Sequence, residues 1–290
     1  MSSPGFHNKY RPSTLSRVLG NESVVATLSN FIESGKFPSA ILLTGPTSAG
    51  KTTMARAFAN DALGVKDVGA SPNFEEVNFS ESRTIDDVRA LISQSRLRPL
   101  RGSRRIILCD EAQGILSNAP AANAFLKPLE EPSPTTTWIL SSMEPDKFSS
   151  TVIGKAISGR CVHLRLKSPT DADLFKQGAR ILKGEGLSKA LSRESLAKLV
   201  ENGDKTYRGL AAQLEVFSSL RDNPDNALEA AMACGVSYME SPDDNNIAGF
   251  VKCTLTGNIP SAIRHAVSVK DGVQFLMRLG HYSWFLLSTS

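Results

Sequence analysis

The sequence predicts an α/β fold, in which helices cover a mostly parallel sheet, followed by two all-helical domains. Short apolar runs alternate with helical stretches over roughly the first 165 residues, and this alternation is typical of parallel sheets. After Lys167 the strand patterns end and well-capped helical stretches begin. We therefore expect an α/β domain at 1–166, a three-helix domain at 167–221 and a final helical domain at 222–290.

The elements follow from apolar spacing and from stop signals. Apolar residues at helical spacing, followed by Gly35, predict the first helix, and the helix at 121–130 ends before Pro132. Ser168, Ser192 and Thr206 begin the helices of the second domain as N-caps. Strands are predicted at 41–43, 74–79, 105–109, 138–140 and 162–166, and helices at 21–33, 51–63, 84–95 and 121–130.

Composition excludes several classes of protein. Of the 290 residues, 41% are hydrophobic and 21% charged, which is typical of an ordered globular chain. The four cysteines are far apart and form no C-x-x-C pair, so we expect no zinc ribbon, no disulfide framework and a reduced intracellular compartment. No signal peptide or membrane span is predicted. The net charge of +4 permits contact with nucleic acid but does not require it.

Residues 45–52 read GPTSAGKT and satisfy the phosphate-loop pattern G-x-x-x-x-G-K-[ST] in full. In this motif the glycines let successive backbone N–H groups face phosphates at a helix N-terminus. Lysine reaches the β- and γ-phosphates, and the hydroxyl after it ligates Mg²⁺. The alternative is a chance match in a glycine-containing turn, but the loop lies between a strand and a helix, as the motif requires. The nucleotide-binding candidates here are Gly45, Pro46, Thr47, Ser48, Ala49, Gly50, Lys51, Thr52 and Thr53.

A second motif supplies two carboxylates. The apolar strand at 105–109 ends in Asp110 and Glu111, at the edge where α/β sheets place their ligands. Asp110 is expected to organise Mg²⁺ together with Thr52, and Glu111 to polarise the attacking water. The alternative is a solvated acidic pair that favours the start of the next helix.

Further landmarks occur in a fixed order along the chain. They are KYRPST at 9–14, VLGNE at 18–22, the phosphate loop, DEA at 110–112, NAFLKPLEEP at 123–132 and SGRC at 158–161. With these motifs the sequence resembles the AAA+ clamp loaders: the small subunits of replication factor C, the ATPase subunit of bacterial polymerase III and their phage counterparts. The resemblance covers residues 8 to about 220, and the remainder matches by helical character only. It implies an AAA+ domain, a helical lid and a helical collar.

The resemblance also implies roles for two arginines. Arg160 would be an arginine finger that enters the nucleotide site of the neighbouring subunit. Arg208 would be the second sensor, reading the γ-phosphate from the lid. The alternatives are a surface arginine before a strand and an ordinary arginine on a helix surface.

The family pattern places a first sensor at the end of the strand that includes residues 138–140. Ser142 is our choice for this polar residue, and Ser141 is the alternative. The resemblance implies ATP and Mg²⁺ as ligands. The residues that would line the adenine and ribose site are Tyr10, Arg11, Pro12 and Val18, with core packing as the rival role for Tyr10.

The implied partners are other clamp-loader subunits in a homo- or hetero-oligomeric ring, expected to be a pentamer, together with a sliding clamp and primer–template DNA. Arg83 and Arg89 are the DNA candidates, because the helix beginning near Thr84 would track phosphates along the duplex. A solvated basic face is the alternative. Leu97 and Pro99 are candidates for contact with the clamp. The large apolar residues at 275–286 indicate a subunit-contacting collar, or else the core of the third domain.

Three features depart from the family pattern. Gly159 stands where the family has a serine, which should loosen the turn before Arg160. Pro128 lies inside the predicted helix at 121–130, where it should kink or end the helix. The cysteine-rich zinc module of the bacterial ATPase subunit has no counterpart here, so no zinc is expected.

The function implied is that of an ATPase subunit that opens a sliding clamp and loads it onto primer–template DNA, in the cytoplasm, the nucleus or, for a virus, the host cell. The alternative is a non-hydrolysing structural subunit of the same assembly, or an AAA+ adaptor acting elsewhere on DNA. A Holliday-junction motor is disfavoured, because no strand pattern of a C-terminal winged helix is visible.

Overall fold

The computed structural model describes residues 5–80, 84–100, 102–220 and 224–235, all within one compact unit that ends at Gly235. The predicted DNA candidate Arg83 and the predicted apolar collar surface at 275–286 lie outside the described residues, as does any winged helix at the C-terminus. Three short 3-10 helices span Leu15–Arg17, Val68–Ala70 and Ala112–Ser117. The helices are α1 (Phe6–Lys9), α2 (Glu22–Ser34), α3 (Lys51–Leu63), α4 (Ile85–Ser95), α5 (Ala119–Glu130), α6 (Pro145–Ser150), α7 (Val152–Ser158), α8 (Asp171–Gly184), α9 (Arg193–Asn202), α10 (Tyr207–Ser219) and α11 (Pro224–Gly235).

One five-stranded sheet is formed by the described residues and lies at the centre of the α/β part, and the predicted fold class is confirmed. Its strands are β1 (Ala40–Thr44), β2 (Phe74–Asn78), β3 (Arg105–Asp110), β4 (Thr136–Ser142) and β5 (Val162–Arg165). They are all parallel and lie in the order β2-β3-β4-β1-β5. In β1 and β4 every residue is buried, because helices cover both faces of the sheet.

Alternate residues of the central strands enter two separate cores. On β3 and β4, Ile107, Cys109 and Leu140 pack against α4, α5 and α7. Leu108 and Ile139 point the other way and pack against α2 and α3, the helix that follows the phosphate loop. This alternation decides which polar residues at the strand ends face the loop.

Helices α8 to α11 enclose a third core of leucine, alanine and aromatic side chains. Thr170, Ser192 and Thr206 cap α8, α9 and α10 through their hydroxyls. The predicted caps of α9 and α10 are confirmed, and the cap of α8 lies two residues beyond the predicted Ser168. Helix α11 begins beyond residue 221, and its Ala227 and Ala231 join the same core. The three domain boundaries stay a prediction.

Polar contacts join the N-terminal segment, residues 5–21, to the end of α8 and to α10, in the region predicted to be the lid and called the lid below. The Tyr10 hydroxyl and the Lys9 ammonium both donate to Glu185 Oε1, each at 2.6 Å. The Tyr207 hydroxyl donates to the Leu19 carbonyl at 2.8 Å. Burial first, then the hydrogen bond to Glu185, raises the pKa of Tyr10 to about 12, so the hydroxyl keeps its proton at neutral pH.

Strand and helix positions agree with the sequence prediction to within one or two residues at most ends. Helix α5 begins at Ala119 and continues past Pro128 to Glu130, so the proline neither interrupts the helix nor ends it at once. Pro128 has no N–H to donate, but it lies in the last turn of α5, where few backbone hydrogen bonds of the helix can be lost. Among the described residues, no helix has the length and apolar character needed to cross a membrane.

Candidate nucleotide-binding site

The phosphate loop has the backbone that its glycines predict. Gly45 has φ +155° and Gly50 has φ +90°, values that favour glycine. A Cβ on Gly45 would lie 2.6 Å from the Leu166 carbonyl oxygen, so β5 and the loop pack too closely for any side chain there. Ser48 also has positive φ, at 59°, which is unusual for a residue with a side chain. Gly50 caps α3, and no side chain covers the first amides of that helix.

Lys51 is folded into its own loop. Its ammonium donates to the Gly45 carbonyl at 3.0 Å and to the Pro46 carbonyl at 2.9 Å, and the side chain is only 7% exposed. Burial lowers the pKa of Lys51, and the nearby carboxylates of Glu111 and Asp110 partly offset that shift. A buried cation held by carbonyl groups is well placed to turn towards phosphate oxygens, which are stronger acceptors.

The Asp110 carboxylate is held from two elements. The Thr52 hydroxyl donates to its Oδ2 at 2.8 Å, and the Ser141 hydroxyl donates to its Oδ1. The hydroxyl and the carboxylate supply the oxygen ligands that Mg²⁺ prefers, and they already meet at the start of α3. These two residues therefore fit the metal site that the sequence predicted.

Ser141, rather than the favoured Ser142, meets Asp110. Both serines are fully buried, but Ser141 shares the face of Ile139, and Asp110 shares the face of Leu108. Ser142 points to the opposite face and accepts a hydrogen bond from the Glu144 N–H at 3.1 Å. The alternation of side chains along a strand thus places Ser141 on the side of the phosphate loop.

Glu111 lies at the turn between β3 and the 3-10 helix Ala112–Ser117. Its backbone has φ +51°, in the left-handed region. The Gln113 side-chain amide donates to Glu111 Oε2. No sequence pattern had marked Gln113, since a glutamine two residues after a carboxylate is common on protein surfaces.

Lys51, Thr52, Asp110 and Glu111 line one pocket of about 340 Å³ between the loop, the N-terminal segment and α10. A cavity of this size lies within the range of small-molecule sites. The predicted Tyr10, Arg11, Pro12 and Val18 all line it, as does Arg208 from the lid. Residues that the sequence had not marked also contribute: Phe6, His7, Leu19, Asn21, Met54, Met143, Gln177, Tyr207 and Ala211.

Arg11, Lys51 and Arg208 line this pocket, as do the carboxylates of Asp110 and Glu111. Burial lowers the pKa of Arg11, and the charges of Arg56 and Arg208 lower it further, while Glu76 and Asp110 oppose the shift. Arg56 is bound to Glu76 at 2.6 Å, which leaves Arg11 and Arg208 as the cations that line the cavity beside Lys51. Such a wall attracts an anion with several charges.

Arg160 does not line this pocket. Its guanidinium donates to Glu130 Oε1 and to the Ala156 carbonyl, both at 2.7 Å, and its side chain is 36% exposed. The preceding Gly159 has φ −63° and ψ −13°, a helical conformation that any residue can adopt. The turn before Arg160 therefore does not depend on glycine.

Arg89 projects from α4 and is paired with Asp86 at 3.3 Å, with 64% of its side chain exposed. Thr84 and Asp87 form a capping box at the start of α4, so this helix end supplies its own partner for the first amides. Leu97 and Leu100 follow α4, and their side chains are exposed. Contact of Arg89 with DNA stays a prediction.

The chain is similar in sequence to known replication proteins. The DNA polymerase III subunit tau/gamma of Haemophilus influenzae is 29% identical over 286 residues, which cover 93% of this chain and 38% of that protein. The replication factor C small subunit of Natronomonas pharaonis is 34% identical over 209 residues, covering 70% of this chain and 60% of that protein. The chain thus spans less than two thirds of the length of either relative.

The fold is also similar to that of the RuvB Holliday junction branch migration motor of Thermotoga maritima, with a TM-score of 0.64 at 17% identity. That match covers 84% of this chain and 80% of the motor. At this identity the likeness shows the fold alone. Together with the phosphate loop, this likeness supports the predicted fold class, an α/β P-loop fold of the AAA+ type.

A family model described as DNA polymerase III, delta subunit, matches residues 20–170, just over half of the chain. The chain belongs to this family of polymerase III subunits. Together with the tau/gamma and replication factor C relatives, this finding confirms the predicted resemblance to AAA+ clamp-loader subunits.

Proposed function

We propose that the chain is an ATPase subunit of a sliding-clamp loader, which binds ATP with Mg²⁺ in the pocket described above. The observation that carries the proposal is the meeting of Thr52 and Asp110 at 2.8 Å beside an intact phosphate loop, with Glu111 on the same pocket wall. Binding alone needs the loop. A site for hydrolysis also needs the two carboxylates, and this chain has both.

Each group of residues in the pocket has a separate role. Backbone amides of residues 45–51 and the Lys51 ammonium hold the β- and γ-phosphates. Thr52 and Asp110 would hold Mg²⁺, which would neutralise charge on the phosphates. Glu111 orients the attacking water in line with the bond that breaks, and it accepts a proton from that water.

Further residues of the same subunit complete the site. Ser141 replaces Ser142 in our assignment of the first sensor, because its hydroxyl already bonds Asp110. Arg208 reads the γ-phosphate from the lid. Tyr10, Arg11, Pro12 and Val18 hold the adenine and ribose, which links nucleotide binding to the contacts between the N-terminal segment and the lid.

The last catalytic group comes from a neighbour. Arg160 lies away from its own pocket, as a residue that acts across a subunit junction must. To reach a neighbouring γ-phosphate its guanidinium must leave Glu130, an exposed ion pair of small net value. The assembly is a ring, which we propose to be a pentamer of this and related subunits, that works inside the cell, in cytoplasm, nucleus or infected host.

The remaining partners are a sliding clamp and primer–template DNA. Arg89, and Arg83 outside the described residues, would contact phosphates without reading sequence. In this scheme ATP binding tightens the ring around clamp and DNA, and hydrolysis releases the clamp.

Complementation between two inactive variants tests the shared site. Lys51→Ala removes the phosphate ligand and Arg160→Ala removes the finger, so each assembly should lose DNA-stimulated ATP hydrolysis. A mixture should regain part of it, because an Arg160→Ala subunit with an intact pocket can use the finger of a Lys51→Ala neighbour.

Arg193→Ala is the matched control, since this arginine lies over the Phe175 ring on the lid, away from the pocket. Its assembly should hydrolyse ATP as the wild type does. A mixture that stays inactive rejects the shared site. Wild-type protein that binds ATP but never hydrolyses it, with or without primed DNA and clamp, supports the non-hydrolysing structural subunit instead.

A further inference from the structure

Gln113 is a buried polar residue next to the candidate catalytic carboxylate. It lies in the 3-10 helix Ala112–Ser117 and is 7% exposed, and it does not line the pocket itself. Its Nε2 donates to Glu111 Oε2. The side chain therefore reaches the carboxylate from the protein interior, outside the lining of the pocket.

The other end of the Gln113 amide is not satisfied. Among the described residues, no donor reaches its buried Oε1. If the amide were turned over, its Oε1 would face a Glu111 oxygen, and two acceptors cannot form a hydrogen bond. The hydrogen bond to Glu111 therefore fixes which way the Gln113 amide points. An apolar side chain of the same length would avoid the buried, unpaired acceptor, and a glutamine is therefore poorly suited to this place on grounds of stability alone.

The turn around Gln113 is closely packed and hydrogen-bonded. Gly114 lies so close to the end of β2 that a Cβ there would fall 1.8 Å from the Phe79 carbonyl oxygen. The Gly114 N–H donates to the Glu111 carbonyl at 2.9 Å, which closes the turn. Gln113 thus approaches Glu111 from a fixed backbone, which is the requirement for setting the direction of a second side chain.

We propose that Gln113 is a positioning residue, which fixes one oxygen of Glu111 through its N–H so that the other oxygen faces the attacking water. The inference rests on the proposed function, because it assigns a role in the same hydrolysis. A free glutamate has three side-chain torsions. Fixing Oε2 removes most of that freedom before the substrate arrives, and misplacement by about 1 Å can cost roughly 100-fold in rate.

Three substitutions separate positioning from simple packing. Gln113→Met keeps the length and loses the donor, and we expect kcat for ATP to fall about 10- to 100-fold with KM little changed. Gln113→Glu also loses the donor and adds a repelling charge, so its kcat should fall further. Gln113→His restores an N–H at a similar reach, and it should recover a large part of kcat.

Two measurements do not depend on turnover. The affinity for a fluorescent ATP analogue should stay within about twofold in Gln113→Met, since the pocket wall is unchanged. Its thermal midpoint should equal or exceed that of the wild type, because the unpaired acceptor is gone. Gln213→Met is the matched control: Gln213 is also buried, with an unpaired Nε2 among the described residues, but it lies in the lid, and its kcat should not change.

In a Glu111→Gln background, Gln113→Met should cause no further loss, since it acts only through Glu111. If wild-type protein turns over ATP and Gln113→Met does so at the same or a higher rate, positioning is rejected and the proposed function stands. Positioning is also rejected if Gln113→Met lowers kcat equally in the wild-type and Glu111→Gln backgrounds. It is rejected as well if Gln213→Met lowers kcat. No turnover by the wild type in the complete assembly rejects both.

Discussion

Gly114→Ala tests the close packing of the turn that holds Glu111. The added Cβ would meet the Phe79 carbonyl oxygen at 1.8 Å, whereas ordinary contacts begin near 3.4 Å. The turn and the end of β2 must therefore separate by more than 1 Å. Because both are backbone, no side-chain rotation can relieve the overlap. We expect a loss of about 1–3 kcal/mol in the free energy of unfolding.

The same displacement should act on catalysis, since it moves the backbone that carries Glu111. A shift of that size predicts a fall in kcat of about 100-fold. Urea unfolding and steady-state ATP hydrolysis measure the two effects on the same preparation. Gly69→Ala is the control: Gly69 also lies in a 3-10 helix, and its Cβ would meet only the flexible Asp67 side chain at 3.3 Å. If Gly114→Ala and Gly69→Ala change the free energy of unfolding and kcat to the same extent, the turn is not closely packed and this prediction is wrong.

Gly45→Ala should weaken ATP binding at least about tenfold, or 1.4 kcal/mol, because its Cβ overlaps the Leu166 carbonyl; unchanged affinity by calorimetry would contradict this. Phe125→Ala should lower the free energy of unfolding by about 3–5 kcal/mol, since this ring is 1% exposed within the core; a loss below 1 kcal/mol in urea would show that the core refills. The pKa of Glu185 is lowered below its ordinary 4.5, chiefly by the hydrogen bond from Lys9. The stabilisation that the Glu185 carboxylate gives the fold is therefore complete above pH 4.5 and is lost as the pH falls through the pKa of the folded state. The difference in urea midpoint between wild type and Glu185→Gln should therefore shrink below pH 4.5, and a difference that grows in acid would refute the sign.

Much of the site was predictable because local patterns specify it. The phosphate loop needs glycines at fixed places, and a buried strand that ends in two carboxylates marks the sheet edge that ligands use. The chain then brings Lys51 and Asp110 together because parallel strands end at one edge. Tyr10 was placed at the same pocket by resemblance to a family, and no physical pattern in the segment required it.

The choice between Ser141 and Ser142 could not be made from the sequence. All seven residues of β4 are buried, so no polar face distinguishes odd from even positions. The answer required knowing that Ile139 faces α3. Gln113 was missed for a different reason, since its partner and its burial depend on how the turn packs against β2. The contacts of Glu185 join segments about 175 residues apart, which no local pattern encodes.

The contacts between the N-terminal segment and the lid also matter for protein engineering. Tyr10 and Leu19 each bond a lid residue, and Gly184 lies so near Tyr10 that a Cβ would fall 2.2 Å from its hydroxyl. A chimera that takes its α/β part from one relative and its helices from another would cut through this joint, although the predicted boundary between the two parts lies near residue 167. Exchangeable modules would have to carry the first 21 residues together with the lid.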